Sequence, residues 1–199
     1  MVQNLRFPRS TVQLGFSLIE VMVVVAIAGL LLALAAPSFT PVIERWRVRS
    51  ATEALQGSIF TARSAAIKHA GDVVLKKNDT GPNGCVSSGA TDFKCGWLIW
   101  HDGLLRDGNQ SACTPTEQTE CTIIEFSPPP NVELTVTGAT NGRLYFNRQG
   151  RITDDTGAIQ NNVTVEVIAK HRVITDNNSR RLCIAGAGRS RVIPGYEAC

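Results

Sequence analysis

The stretch from Phe16 to Ala36, FSLIEVMVVVAIAGLLLALAA, is 21 residues of strongly apolar chain carrying one ionisable group, Glu20. A helix of that length spans roughly 31 Å at about 1.5 Å per residue. That matches a bilayer hydrocarbon core of about 30 Å. A carboxylate there costs about 3 kcal/mol or more, so by default it marks a functional position. Glu20 lies one helical turn past Phe16. In a first turn its charge suits the helix dipole, and an ammonium partner would make its burial tolerable. Arg6 and Arg9 precede the run, which places the N-terminus on the cytoplasmic side and the bulk of the chain outside. A cleavable secretory signal is the competing reading, and Ala33–Ala36 offers a small-residue site. Its apolar region would normally be about 7–15 residues, shorter than this one, and Glu20 would serve no purpose in it.

Beyond Pro37 the pattern stays helical as far as Ala70, with Val42, Trp46, Ala51, Ala54, Leu55, Ile59, Ala62, Ala65 and Ala66 mostly three or four apart. Pro37 and Pro41 should bend or interrupt this helix, and Gly71 should stop it. Uninterrupted, Phe16–Ala70 would be roughly 80 Å long. Strand candidates follow at 72–77, 96–102, 121–126, 132–137, 143–147, 163–169 and 181–186. Asn141-Gly142 is a hairpin-turn signal, and the prolines of 127–131 make a rigid break. The expected fold class is α+β: a long N-terminal helix, half transmembrane and half amphipathic, packed on a mostly antiparallel sheet.

The six cysteines, Cys85, Cys95, Cys113, Cys121, Cys183 and Cys199, all lie after the apolar run. An even number on one side of a membrane segment fits disulfides in an oxidising compartment. Six cysteines allow 15 pairings; nearest neighbours (85–95, 113–121, 183–199) are the expected set. No C-x-x-C occurs, and the three histidines are scattered, so zinc is not expected.

The hexapeptide GFSLIE, Gly15–Glu20, followed by an apolar helix and Pro37, resembles the N-terminal signature of type IV pilins and pseudopilins. The resemblance implies cleavage by a prepilin peptidase after Gly15 and methylation of the new amine on Phe16. It implies that Glu20 pairs with the amine of a neighbouring subunit during filament assembly. The implied organisation is a leader over 1–15, a transmembrane segment over 16–36, an amphipathic spine over 37–71 and a β-rich periplasmic head over 72–199. The implied location is the bacterial inner membrane, crossed once with a cytoplasmic N-terminus, and then a periplasmic or surface filament of other pilins. Within the head, TARSAAIKHAGDVVL, GWLIWHD, LYFNRQGRI and RLCIAGAGRSR are similar to segments of the FimT/GspH-type minor pseudopilins. In GWLIWHD, Trp100 stands in a Phe place and Asp102 in an Asp place. Some FimT proteins bind DNA in natural transformation through a Gly-Arg-x-Arg region, which here matches Gly188, Arg189, Ser190 and Arg191.

The residues support that reading locally. Net charge is +3, and removing Arg6 and Arg9 leaves +1, so any basic site must be local. From Lys170 to Cys199 six basic residues face only Asp176 and Glu197. Arg189 and Arg191 sit two apart, so on extended backbone both point one way. Guanidinium forks match phosphate oxygens, and Ser190 would add a hydrogen bond. Arg180, Arg181 and Lys170 are weaker candidates for the same sequence-independent contact with double-stranded DNA. The competing reading is a solvated, strand-blocking edge. A bridge between Cys183 and Cys199 would close a loop around Arg189 and Arg191 and preorganise them. A structural role at the tip of a type II secretion pseudopilus, or in type IV pilus biogenesis, remains open beside DNA binding.

No catalytic arrangement is expected. Neither H-E-x-x-H nor G-x-S-x-G occurs, and Gly186-x-Gly188 lacks the rest of a dinucleotide loop. Asp154-Asp155 reads as a turn. His101 and Asp102 would face opposite sides of a strand. Trp97 and Trp100 read as core or interface. No EF-hand spacing suggests calcium, and no cofactor is expected.

Overall fold

The computed structural model describes residues 15–35, 39–103 and 122–199. They fall into two units, one up to Thr40 and one from Pro41 to Cys199.

The first unit contains α1 (Leu18–Ala35), whose large apolar side chains from Leu18 to Leu32 are exposed in the isolated chain. Ser17 caps it: the Glu20 amide donates to Ser17 Oγ at 3.2 Å. Ser17-Leu18-Ile19-Glu20 therefore has the S-x-x-E spacing of a capping box, a local start signal that the sequence reading overlooked. Among the described residues no helix is long and apolar enough to cross a membrane. At 18 residues α1 reaches about 27 Å; the expected span of 16–36 runs on to Ala36, outside the described residues.

The next helix is α2 (Thr40–His69), which from Pro41 on belongs to the second unit. Pro41 lies in its first turn, where a missing N–H costs nothing, so Pro41 starts this helix instead of bending it. Pro37 lies outside the described residues. The helix ends at His69, two residues before the expected glycine, Gly71. Ala70 takes the left-handed conformation at φ 49°, and Lys68 and His69 complement the last turn. The buried face is Val48, Ala51, Thr52, Leu55, Ser58, Ile59, Ala62, Ala65 and Ala66. Alanines along it let strands approach closely.

Two antiparallel sheets pack against that face. The first has the order β5-β4-β1-β7-β8, with β1 Asp72–Lys77, β4 Trp97–Gly103, β5 Thr122–Phe126, β7 Arg143–Phe146 and β8 Ile152–Thr153. The second has the order β11-β10-β9-β6, with β6 Val132–Thr137, β9 Asn162–Ala169, β10 Arg180–Ala185 and β11 Ser190–Pro194. A small ribbon pairs β2 (Thr80–Gly81) with β3 (Cys85–Val86). One core joins helix and both sheets: Leu55 and Ile59 meet Trp97, Ile99 and Phe146 of the first sheet and Leu134, Val165 and Leu182 of the second. The Trp97 indole N–H donates to Ser58 Oγ at 2.8 Å inside it. Trp100 is also buried, in a smaller cluster with Val74 and Tyr145, so both tryptophans are core residues.

Two details depart from the sequence reading. Asn141 and Gly142 do form a tight turn, with φ 51° and 73°, closed by backbone bonds between Thr140 and Arg143. Yet β6 and β7 do not pair, because they enter different sheets. The last expected strand ends at 186, yet the segment after β10 returns as a further strand, β11.

Candidate functional site

The β10–β11 hairpin builds the site. Its turn runs Gly186-Ala187-Gly188 and is closed by the Gly188 N–H donating to the Ala185 carbonyl at 2.8 Å and the Ala185 N–H donating to the Arg189 carbonyl at 2.9 Å. Gly188 has φ +75°, and a Cβ there would stand 2.9 Å from the Gly150 carbonyl oxygen. Both facts demand glycine.

Register then assigns faces. Cys183 pairs with Arg191 and Ile184 with Ser190. Ser190 shares the inner face with buried Ile184, and its Oγ accepts from Gln56 Nε2 of α2 at 3.1 Å. It faces the helix, away from the two arginines. Arg189 and Arg191 are exposed and line one shallow cleft of about 330 Å³ with Thr164, Cys183 and Cys199. Neither forms an ion pair with another described residue. The Cys183–Cys199 disulfide ties the C-terminus across this face. Cys85–Cys95 is the second bridge present; the expected 113–121 bridge lies outside the described residues.

Of the other basic candidates, Arg181 is the near one: it lies two residues from Cys183 on the same face of β10, and Cys183 stands opposite Arg191. Ala185 pairs with Asn162 at one end of β9, whereas Arg180 pairs with Val167 near the other. Lys170, just past β9, is eight residues from Asn162, or about 26 Å of extended chain. That is several Debye lengths in physiological salt. Lys170 lines a separate cleft with Cys85, Cys95 and Pro128. Arg181 is engaged: Nη2 meets Glu166 Oε1 at 2.8 Å and Nη1 donates to the Glu197 carbonyl. Arg180 Nη1 donates to the carbonyls of Asn177 and Ser179 at 3.1 and 3.0 Å. Lys170 is thus separated from the arginine pair by the length of β9, whereas Arg181 shares the face of Arg191 with its guanidinium already engaged by Glu166 and the Glu197 carbonyl.

Arg63 is a residue that sequence reasoning missed. Its Nη1 donates to the Gly188 carbonyl at 3.4 Å, and its stem lies against Gly188 and Gly150. Nothing in the local pattern of α2 announces a contact 125 positions away. Among the described residues no three His, Cys, Asp or Glu side chains gather as a metal centre requires. His101 instead meets His69, ring centroids 4.3 Å apart.

At the other end of the chain, Gly15 and Phe16 are exposed beside the start of α1, and Glu20 occupies its first turn.

Two family models match. The prokaryotic N-terminal methylation motif covers residues 11–36, and the type II transport protein GspH covers residues 51–188. Among solved structures, the type IV minor pilin FimU of Pseudomonas aeruginosa strain PAO1 is similar in two crystal forms. One aligns with a TM-score of 0.53 at 20% identity, over 78% of this chain and 95% of FimU. The other gives 0.50 at 20% identity, over 76% and 96%. At that identity the likeness establishes the fold, a pilin fold of helix on antiparallel sheet. The methylation motif and the family together imply a membrane-anchored filament subunit that assembles with other pilins after prepilin peptidase processing. With the GspH model matching more than half of its length, the chain belongs to the GspH family and is a minor pseudopilin of the GspH/FimT type.

Proposed function

We propose that this pseudopilin binds the phosphate backbone of double-stranded DNA through Arg189 and Arg191, at or near a filament tip, and serves DNA uptake in natural transformation. The carrying observation is the cleft: two exposed guanidiniums without acidic partners among the described residues share one face, beside a disulfide that pins the adjoining C-terminus. Guanidinium forks bind phosphate oxygens bidentately, and a shallow open cleft suits a rod-like polyanion. The location of the charges favours a local contact over a general basic surface.

The same reading assigns the N-terminal end. Prepilin peptidase cuts between Gly15 and Phe16, and residues 16–36 hold the subunit in the inner membrane with the head in the periplasm. Glu20 then pairs with the terminal amine of a neighbouring subunit. No catalytic role is assigned.

The test is binding of labelled duplex DNA by the full chain in detergent micelles across a salt series. Affinity should fall steeply with salt, and the Arg189→Ala/Arg191→Ala variant should lose most of it. Wild-type affinity in that variant refutes the site. The family description favours a second reading, a structural tip subunit in protein secretion. Deleting the gene separates the two. Lost transformation with intact secretion supports the first; lost secretion with intact transformation supports the second.

A further inference from the structure

The turn that joins β7 to β8, Asn147-Arg148-Gln149-Gly150-Arg151, lies directly against the β10–β11 turn. Three observations establish this. The Ile152 N–H donates to the Gly186 carbonyl at 3.1 Å. A Cβ on Gly188 would stand 2.9 Å from the Gly150 carbonyl oxygen. The Arg63 stem packs under both glycines, so a Cβ on Gly150 would meet its Cγ at 2.7 Å and one on Gly188 its Cδ at 3.0 Å. Two turns from two different sheets therefore close over one helix side chain, with Gly150 and Gly188 meeting above it.

The first of these turns is itself well fixed. Asn147 Oδ1 accepts from the amides of Gln149 and Arg151 at 3.1 and 3.0 Å. The backbone closes it again, with the Gly150 N–H donating to the Asn147 carbonyl at 2.7 Å. Arg148 and Arg151 are exposed and form no ion pair with another described residue. The next acids in the chain are Asp154 and Asp155. Asp154 Oδ1 is taken up within its own turn by Thr156 and Ala158. The seam thus carries an arginine pair on each side, on backbone already ordered before any ligand arrives.

We infer that Arg148 and Arg151 form the second wall of the DNA-backbone site, so that four guanidiniums, two from the β7–β8 turn and two from the β10–β11 hairpin, contact phosphates of one duplex. This rests on the DNA reading of Arg189 and Arg191 and extends it to a segment 40 residues earlier in the chain. Recognition is of backbone charge, without base reading, since arginines spread over an exposed seam supply phosphate contacts and no groove-penetrating element.

The experiment measures affinity of the full chain in detergent micelles for a fluorescent mixed-sequence duplex by anisotropy, over a range of sodium chloride. Removing one arginine from a phosphate should make the slope of log affinity against log salt shallower by about 0.9. The Arg148→Gln/Arg151→Gln variant should therefore lose about 1.8 from that slope. The gap from wild type then widens roughly 60-fold for each tenfold dilution of salt. Arg148→Lys/Arg151→Lys should keep the slope. Arg45→Gln/Arg49→Gln, which removes equal charge from the start of α2, should keep it too. A wild-type slope and affinity in the Arg148→Gln/Arg151→Gln variant, with binding weakened in Arg189→Ala/Arg191→Ala, overturns this inference and leaves the proposed function standing. An equal slope change in the Arg45→Gln/Arg49→Gln control also overturns it. No duplex binding by the wild type overturns both.

Discussion

Replacing Cys183 and Cys199 together by serine should destabilise the head by about 3 kcal/mol. The bridge spans a sequence separation of 16, and closing a loop of that size removes about 10 cal/mol/K of entropy from the unfolded chain, or about 3 kcal/mol at 25 °C. The native state should change little at first: Cys183 sits in the β10–β11 ladder opposite Arg191, and Arg181 still holds the Glu197 carbonyl. For a unit of this size each kcal/mol moves the melting temperature by about 2–4 °C, so the expected fall is roughly 6–12 °C. Both cysteines must go, because a single replacement leaves a thiol able to invade Cys85–Cys95. The assay is calorimetry of the full chain in micelles, wild type against double variant, with DNA affinity measured below both transitions. A melting temperature within about 1 °C of wild type would refute the loop-closure reasoning. Unchanged affinity alongside a lowered melting temperature would confine the bridge to stability and remove it from organising the arginine face.

Two further outcomes follow from interior contacts. Ser58→Ala strands the buried Trp97 indole N–H and should cost about 2 kcal/mol, seen as a fall in melting temperature of roughly 4–8 °C; a shift under about 1 °C would contradict it. Burial, and then the neighbouring His69, hold His101 below its ordinary value near 6.5. The unfolded chain therefore takes up the proton first as pH falls. The stability contribution is present above about pH 6.5 and is lost as pH drops toward the folded value. His101→Phe should flatten this limb of a melting-temperature profile between about pH 5 and pH 7.5, and an unaltered profile would exclude His101 as its source.

Much of the head was readable because its strands expose their period. Val132–Thr137 alternates buried and exposed at every step, and β9 places Val163, Val165, Val167 and Ala169 inward. The inner face of α2 was equally plain, since small and aliphatic residues recur at helical spacing. The failures share a cause: they depend on partners distant in sequence. Ile152–Thr153 is two residues long, too short for any period, and is defined by β7 and the Gly186 carbonyl. Ser190–Pro194 begins with a polar pair and ends in proline, so it carries no strand signal of its own, and β10 supplies its ladder. The Asn141-Gly142 turn is locally what a hairpin needs, but no local signal says that the strands beside it enter different sheets. The arginine pair of the candidate site was visible in Gly-Arg-x-Arg. Its separation from Lys170 was not, because linear proximity concealed the length of β9, and neither was the engagement of neighbouring Arg181 by Glu166.

The hydrogen bond from Ile152 to the Gly186 carbonyl also has a mechanical meaning. A load applied at Arg189 or Arg191 does not peel a free hairpin one bond at a time. Through Gly186 it reaches β8 and the first sheet, through Arg63 it reaches α2, and through Cys183–Cys199 it is shared covalently with the C-terminus. The bonds then resist in parallel, as rivets do in a lap joint, and not in series like the teeth of a zip. A subunit fastened in this way holds its shape under a load applied at that surface.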